Sequence, residues 1–122
     1  MYSAQVLEHF EHPRNVGELA EASAAVQLEN PACGDILRLS VRVEDGRIAE
    51  VRYRAKGCVS AIACGSLLTE MLQGRTLGEA RALRREELIL GLGGLPEAST
   101  HASHLAMDTL AAALKALAKQ GS

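Results

Sequence analysis

The stretch Asp35 to Lys56, DILRLSVRVEDGRIAEVRYRAK, decides how this chain folds. Leu37, Leu39, Val41 and Val43 alternate with Arg38, Ser40, Arg42 and Glu44, the period of two that turns one face of a strand to a core and the other to water. Asp45-Gly46 is the residue pair that a two-residue hairpin turn favours. The return strand sets Val51, Tyr53 and Ala55 on one face and Arg52, Arg54 and Lys56 on the other, with Ile48 out of phase. A one-residue bulge near Ala49-Glu50 restores the phase. Without it Leu37 would face Arg54. With it Leu37 faces Ala55, Leu39 faces Tyr53 and Val41 faces Val51, while Val43 faces Ile48 beside the turn. At the open end of this hairpin, either register brings Cys33 and Cys58 within about one residue of direct opposition, roughly 5 to 8 Å between side chains. Two thiols and Asp35 converge there.

Outward from the hairpin, Ala24 to Asn30 alternates weakly, as a short edge strand does, and Asn15 to Ser23 has no period and reads as a connector. The chain opens with a helix over Ser3 to Glu11, with Ser3 as N-cap, Val6, Leu7 and Phe10 on one stripe, and Pro13 ending it. After the hairpin, Ser60 to Gln73 has helical spacing in Ile62, Leu67, Leu68 and Met71 and stops at Gly74. Thr76-Leu77-Gly78-Glu79 is a capping box opening a short helix, and Arg84 to Leu90 supplies another. GLGGLP at Gly91 to Pro96 breaks the chain. A last helix begins near Thr100, with Leu105, Leu110, Leu114 and Leu117 on one side and Lys115 and Lys119 near its end.

Composition narrows the function classes. With 122 residues, 48% of them hydrophobic and 23% charged, the chain fits one globular domain over residues 1–122. One Phe, two Tyr and no Trp leave the core to aliphatic side chains. A net charge of −2 and this lack of aromatic platforms argue against nucleic acid as partner. No apolar run approaches the roughly 20 residues of a membrane helix, and the N-terminus has no basic segment followed by an apolar one, so the expected location is cytoplasmic. The three cysteines, Cys33, Cys58 and Cys64, are an odd number without an export signal, which favours thiol or metal chemistry over a disulfide framework.

The sharpest chemical reading is a metal or cluster site of Cys33, Asp35, Cys58 and His101. Thiolate, imidazole and carboxylate together fill the four positions of tetrahedral zinc, or bind iron. The spacing is no CxxC motif, and any one cysteine read alone is as easily a small buried hydrophobe. Cys58 falls at a strand-to-helix junction, where unsatisfied N–H groups and the positive dipole end favour a thiolate. Cys64, six residues on, lies roughly 240° around the helix and reads as packing. His104, three residues after His101, is a spare ligand or a polar residue of the first turn. His9 and His12 flank the end of the first helix and read as C-terminal capping groups. Gly91, Gly93 and Gly94 follow a helix and lack a phosphate-loop fingerprint. The outward arginines Arg38, Arg42, Arg52 and Arg54 form a solvated face that can meet an acidic partner. A nucleophilic enzyme would use Cys58 but has no placed base, unless His101 lies within hydrogen-bond reach of it.

Taken together, YSAQVLEHFEHPRNVG at the start, PACGD at Pro31 to Asp35, GCVSAIA at Gly57 to Ala63 followed by SLLTEMLQG, and His101 leading into LAMDTLAAAL resemble the iron–sulfur cluster assembly scaffolds, the IscU type and the N-terminal domain of NifU. The resemblance runs over nearly the whole chain. It implies an α+β fold, a three-stranded antiparallel sheet packed against about five helices. It implies a scaffold, not an enzyme, that receives sulfur from a cysteine desulfurase, assembles a [2Fe-2S] cluster with iron and electrons, and passes it to apo-proteins; zinc can occupy the same site in apo forms. By the resemblance, Cys33, Asp35, Cys58 and His101 are the ligands. Two departures stand out. The family's His-Cys is here His101-Ala102, and its DnaK-type chaperone motif Leu-Pro-Pro-Val-Lys is Leu95-Pro96-Glu97-Ala98-Ser99, which puts chaperone-driven release in doubt. The competing expectation is a divergent zinc-binding or regulatory paralogue that binds the desulfurase without building clusters.

Overall fold

The hairpin forms in the register that its alternation demands. In the structure, a computed structural model that describes residues 1–120, β2 (Asp35–Glu44) and β3 (Arg47–Lys56) pair Leu37 with Ala55, Leu39 with Tyr53 and Val41 with Val51. The register shifts after Arg42, leaving Ala49 as the extra residue and Val43 opposite Ile48. Asp45 and Gly46 both take positive φ, 54° and 75°, the geometry of a tight hairpin turn. β1 (Ala24–Asn30) adds antiparallel to the other side of β2, so the sheet order is β1-β2-β3. Pro31 to Gly34 close that second hairpin, with the Cys33 and Gly34 N–H groups donating to the Asn30 carbonyl.

The connector has a job that its lack of period concealed. Tyr53 N–H donates to Asn15 O and Gly17 N–H to Tyr53 O, each at 2.9 Å, while Gly74 N–H donates to Ile48 O and Ile48 N–H to Arg75 O. These two segments occupy the free edge of β3, which would otherwise offer unpaired backbone to another chain. Leu19 N–H donates to the buried Ser40 hydroxyl on the outer face of the sheet. There Arg38 is paired to Glu18, and Arg42 to Glu44 and Glu50, so most of the arginine face is neutralised within the chain.

The helices cover the other face: α1 (Ala4–Glu11), α2 (Val59–Leu72), α3 (Leu77–Ala82), α4 (Arg85–Gly91) and α5 (Thr100–Gln120), the last entered through a 3-10 turn at Glu97–Ser99. The fold is thus α+β, a three-stranded antiparallel sheet with five helices. α2 lies in the middle, against the sheet, α1, α4 and α5. Its buried residues include the small Ser60, Ala61, Ala63, Cys64, Gly65 and Ser66; of the four residues at helical spacing, Leu68 is fully buried, while Ile62, Leu67 and Met71 are half-buried. A helix enclosed on several sides needs close approach more than one bulky stripe. Gly65 shows this: a Cβ there would lie 2.5 Å from the Tyr53 ring. Burial lifts the Tyr53 hydroxyl to a pKa of about 12, and that hydroxyl donates to the Ile62 carbonyl at 2.9 Å.

α1 corrects the expected stripe. Ser3 caps it, accepting from Val6 N–H, but the buried pair is Val6 and His9, and Leu7 and Phe10 are exposed. His9 is no helix cap; its Nδ1 lies 2.7 Å from the Ser66 hydroxyl and its Nε2 3.5 Å from Glu70, binding α1 to α2. Burial, then the nearby Arg14 charge, lowers the His9 pKa below its ordinary 6.5 despite the carboxylates of Glu70 and Glu8. The unfolded chain therefore takes up this proton first as pH falls, and the stability present above about pH 6.5 is lost progressively below it. The urea midpoint should fall from pH 7.5 to pH 5.5, about the window of histidine titration, with a shallower slope in His9→Gln.

The capping box of α3 is complete: Glu79 N–H donates to the Thr76 hydroxyl at 3.1 Å, and Thr76 N–H to the Glu79 carboxylate at 2.9 Å. Thr76→Ala should lower stability by about 0.5–2 kcal/mol in urea unfolding. No described helix is long and apolar enough to cross a membrane.

Candidate metal centre

Four side chains from three places in the chain meet at the end of the sheet where β2 begins. Cys33 sits exposed on the Pro31–Gly34 turn. Asp35, the first residue of β2, is 2% exposed. Cys58 is the N-cap of α2, its sulfur accepting from Ala61 N–H at 3.4 Å. His101 is the second residue of α5 and half-buried.

The Asp35 carboxylate is the hub. Its Oδ1 accepts from Cys58 N–H at 3.0 Å; its Oδ2 accepts from the Cys58 thiol at 3.3 Å and lies 3.2 Å from His101 Nε2. His101 Nε2 is 4.0 Å from the Cys58 sulfur. Donor atoms of Cys33, Asp35 and His101 all lie within 4.8 Å of one another. The Cys58 sulfur reaches Asp35 and His101 but is not part of that set of three; with it, the donors on offer are two soft sulfurs, an imidazole and a carboxylate, a chemistry that suits zinc, iron or an iron–sulfur cluster.

Gly57 makes this packing possible, and it escaped the sequence reading. Its φ is +137°, and a Cβ there would stand 2.1 Å from Asp35 Oδ1 and 2.8 Å from its Cγ. The signal was present as a lone glycine between a strand and Cys58, at the hairpin end where the register already set Asp35.

The expected thiolate at Cys58 is corrected by its surroundings. Burial raises the Cys58 pKa above its ordinary value, Ala61 N–H lowers it, and the hydrogen bond and charge of Asp35 raise it further; the net direction is up. Helix donors are present, but burial and the carboxylate outweigh them. Because a metal ligates the thiolate, a metal bound at Cys58 would displace its proton. Cys64 is fully buried in the core, where burial lifts its thiol to about 12. Ala102 is also in the core, 1% exposed. His12 stands at the C-cap position of α1, its backbone N–H bonded to Glu8 O. Gly93 and Gly94 take positive φ in the turn after α4. The His101 Nε2 lies at the limit of hydrogen-bond reach of the Cys58 sulfur, 4.0 Å, and nearer to Asp35 Oδ2, 3.2 Å.

The chain matches the family described as NifU-like N terminal domain over residues 1–121. It is 41% identical over 114 residues to the iron-sulfur cluster assembly scaffold protein IscU 1 of Archaeoglobus fulgidus, covering 93% of this chain and 74% of that one. To IscU of Haemophilus influenzae it is 41% identical over 125 residues, covering 98% of each. The crystal structure of an N-terminal NifU-like protein from Brucella abortus shares the fold with a TM-score of 0.78 at 21% identity, covering 96% of this chain and 94% of that one. The chain belongs to the NifU N-terminal and IscU family of iron–sulfur cluster assembly scaffolds.

Proposed function

We propose that this chain assembles a [2Fe-2S] cluster on Cys33, Asp35, Cys58 and His101 and hands it to apo-proteins. The observation that carries the reading is the convergence of all four groups on the buried Asp35 carboxylate. Iron and sulfur are cargo here, and the chain's part is to hold and release them, without catalysis.

Sulfur arrives from a cysteine desulfurase as a persulfide. Cys33 is the exposed thiol of the set and the one that a partner reaches first. Its thiolate attacks the terminal sulfur, a new S–S bond forms at Cys33, the donor's S–S bond breaks, and the donor leaves as thiolate. An external electron donor reduces that sulfur to sulfide. Ala102 stands where the resemblance places a third cysteine, so only two thiolates remain, and His101 and Asp35 complete the ligation. Mixed cysteine and histidine ligation raises a cluster's potential relative to all-cysteine sites, and the cluster should be labile. Leu95-Pro96-Glu97-Ala98-Ser99 in place of the chaperone motif fits release without a DnaK-type chaperone.

The test is transfer. Chain loaded with iron and desulfurase-derived sulfur, freed of excess reagents and mixed with an apo-ferredoxin, should generate the holo-ferredoxin spectrum faster than free iron and sulfide do at equal concentration. Transfer no faster than the free-reagent control would contradict the reading. A second reading has its own support, because two thiols, one imidazole and one carboxylate are a full ligand set for tetrahedral zinc. On that reading the chain is a zinc-binding regulator of the desulfurase, and tightly held zinc with no transfer would favour it.

A further inference from the structure

The two edges of the sheet differ. Backbone groups of Asn15 and Gly17, and of Gly74 and Arg75, occupy the outer edge of β3, whereas β1 pairs with β2 alone, and no described strand or bridge lies against its other edge. Native edge strands are blunted by proline, lysine, a bulge or very short length. β1 has none of these: its seven residues, AAVQLEN, keep an unbroken register with β2 and carry one charge, Glu29. Its helix-side residues Val26 and Leu28 pack on the core but stay half-buried. Leu28 also lines a cavity of about 330 Å³ between the end of β1 and α5, so apolar surface remains uncovered beside this edge.

The strand is complementary to itself. Set antiparallel to a second copy about Gln27, it places Gln27 opposite Gln27 of that copy, Val26 opposite Leu28, Ala25 opposite Glu29 and Ala24 opposite Asn30, so that every residue of the strand is paired. Side chains alternate between the two faces of a sheet, and this register sets the helix-side residues against one another and the exposed Ala25, Gln27 and Glu29 against one another. The backbone groups that point outward from an edge also belong to alternate residues, and in this register each meets a partner. Glu29, the one charge, faces alanine rather than a second glutamate, which avoids the like-charge opposition that destabilises a cross-strand pair.

We propose that β1 docks edge to edge with β1 of a second copy of this chain, joining two three-stranded sheets into one of six strands with the helices of both copies on the same side. Val26 of each copy meets Leu28 of the other across the junction, and both gain burial. Because the paired strands run in opposite directions, the two turns that carry Cys33 lie at opposite ends of the junction, which therefore does not bridge the metal centres. The contact is small, so the dimer is weak and forms as concentration rises. It is independent of the scaffold reading.

Gln27 sits on the two-fold axis of this pairing, and its side chain is exposed. Gln27→Lys and Gln27→Glu each set like charges against one another at the middle of the junction without touching the core. Sedimentation equilibrium reads the result on metal-free chain in the presence of a thiol reductant, so that neither a metal nor a disulfide links the copies. Wild type should rise from one chain mass toward two as its concentration increases to about 1 mM, and each variant should stay near one. An equimolar mixture of the two variants, which sets lysine against glutamate, should associate at least as readily as wild type. Should a variant lower the urea midpoint, amide hydrogen exchange on wild type decides instead, with exchange along β1 slowing as the concentration rises. The proposal is overturned if wild type stays at one chain mass throughout, if both variants associate as wild type does, if the mixture associates no better than its components, or if β1 exchange is independent of concentration.

Discussion

Cys58→Ser is expected to abolish retention of metal and cluster, while Cys64→Ser leaves both in place. The contrast is informative because the Cys58 variant should still fold. Cys58 caps α2 by accepting from Ala61 N–H, and serine is among the preferred residues for that role. What serine removes is the soft sulfur 3.3 Å from Asp35 and 4.0 Å from His101. Cys64 is the reverse case. It is fully buried among apolar side chains, so Cys64→Ser should lower stability by about 1–3 kcal/mol through an underpaired hydroxyl without touching the ligands. Iron or zinc per chain after gel filtration, read beside the urea midpoint, checks both. Full metal retention in Cys58→Ser, or its loss in a folded Cys64→Ser, would overturn the assignment.

Gly57→Ala should damage both the fold and the centre. The backbone at Gly57, with φ +137°, is strained for any side chain, which costs of order 1–3 kcal/mol. The new Cβ would also sit 2.1 Å from Asp35 Oδ1, 2.8 Å from Cγ and 3.0 Å from the Asp35 Cα. The last of these is backbone, so the carboxylate cannot simply rotate clear. Asp35 must withdraw from Cys58 N–H, and the hub of the centre goes with it. Gly74→Ala is the control. Gly74 also has positive φ, +86°, but nothing lies within 4 Å of the position that an added methyl group would take, so this variant should lose stability and keep its metal affinity. A Gly57→Ala protein that binds metal as wild type does would show that Asp35 does not organise the centre.

How much of this was legible depended on whether the signal was local. The hairpin register was, because period-two alternation, Asp45-Gly46 and the phase error at Ile48 all lie within the segment they explain. The approach of Cys33 and of Cys58 to Asp35 followed from that register by extrapolation; His101, arriving from the far end of the chain, entered only through the chemistry of the ligand set and the family resemblance. What failed had distant causes. His9 looks like a polar cap in sequence, and its partner Ser66 is 57 residues away. The helical stripe of α2 was misjudged because a helix packed on several sides carries no single apolar face. The thiolate expected at Cys58 weighed the helix terminus alone and left out the burial, which only the tertiary structure supplies, and the effect of the neighbouring Asp35 carboxylate. The connector around Asn15 and Gly17 is shaped by the edge of β3, which no pattern within the connector reveals.

The claim on which the functional account rests is that Cys33, Asp35, Cys58 and His101 suffice to hold a cluster without a third cysteine. Anaerobic reconstitution with ferrous iron, a cysteine desulfurase and cysteine, followed by visible absorption and by iron and sulfide counts per chain, tests it most directly. The account predicts charge-transfer bands with iron and sulfide in equal number, two of each per [2Fe-2S] site, all lost in Cys58→Ser. Absence of sulfide-bearing chromophore, with zinc held tightly in its place, would contradict it.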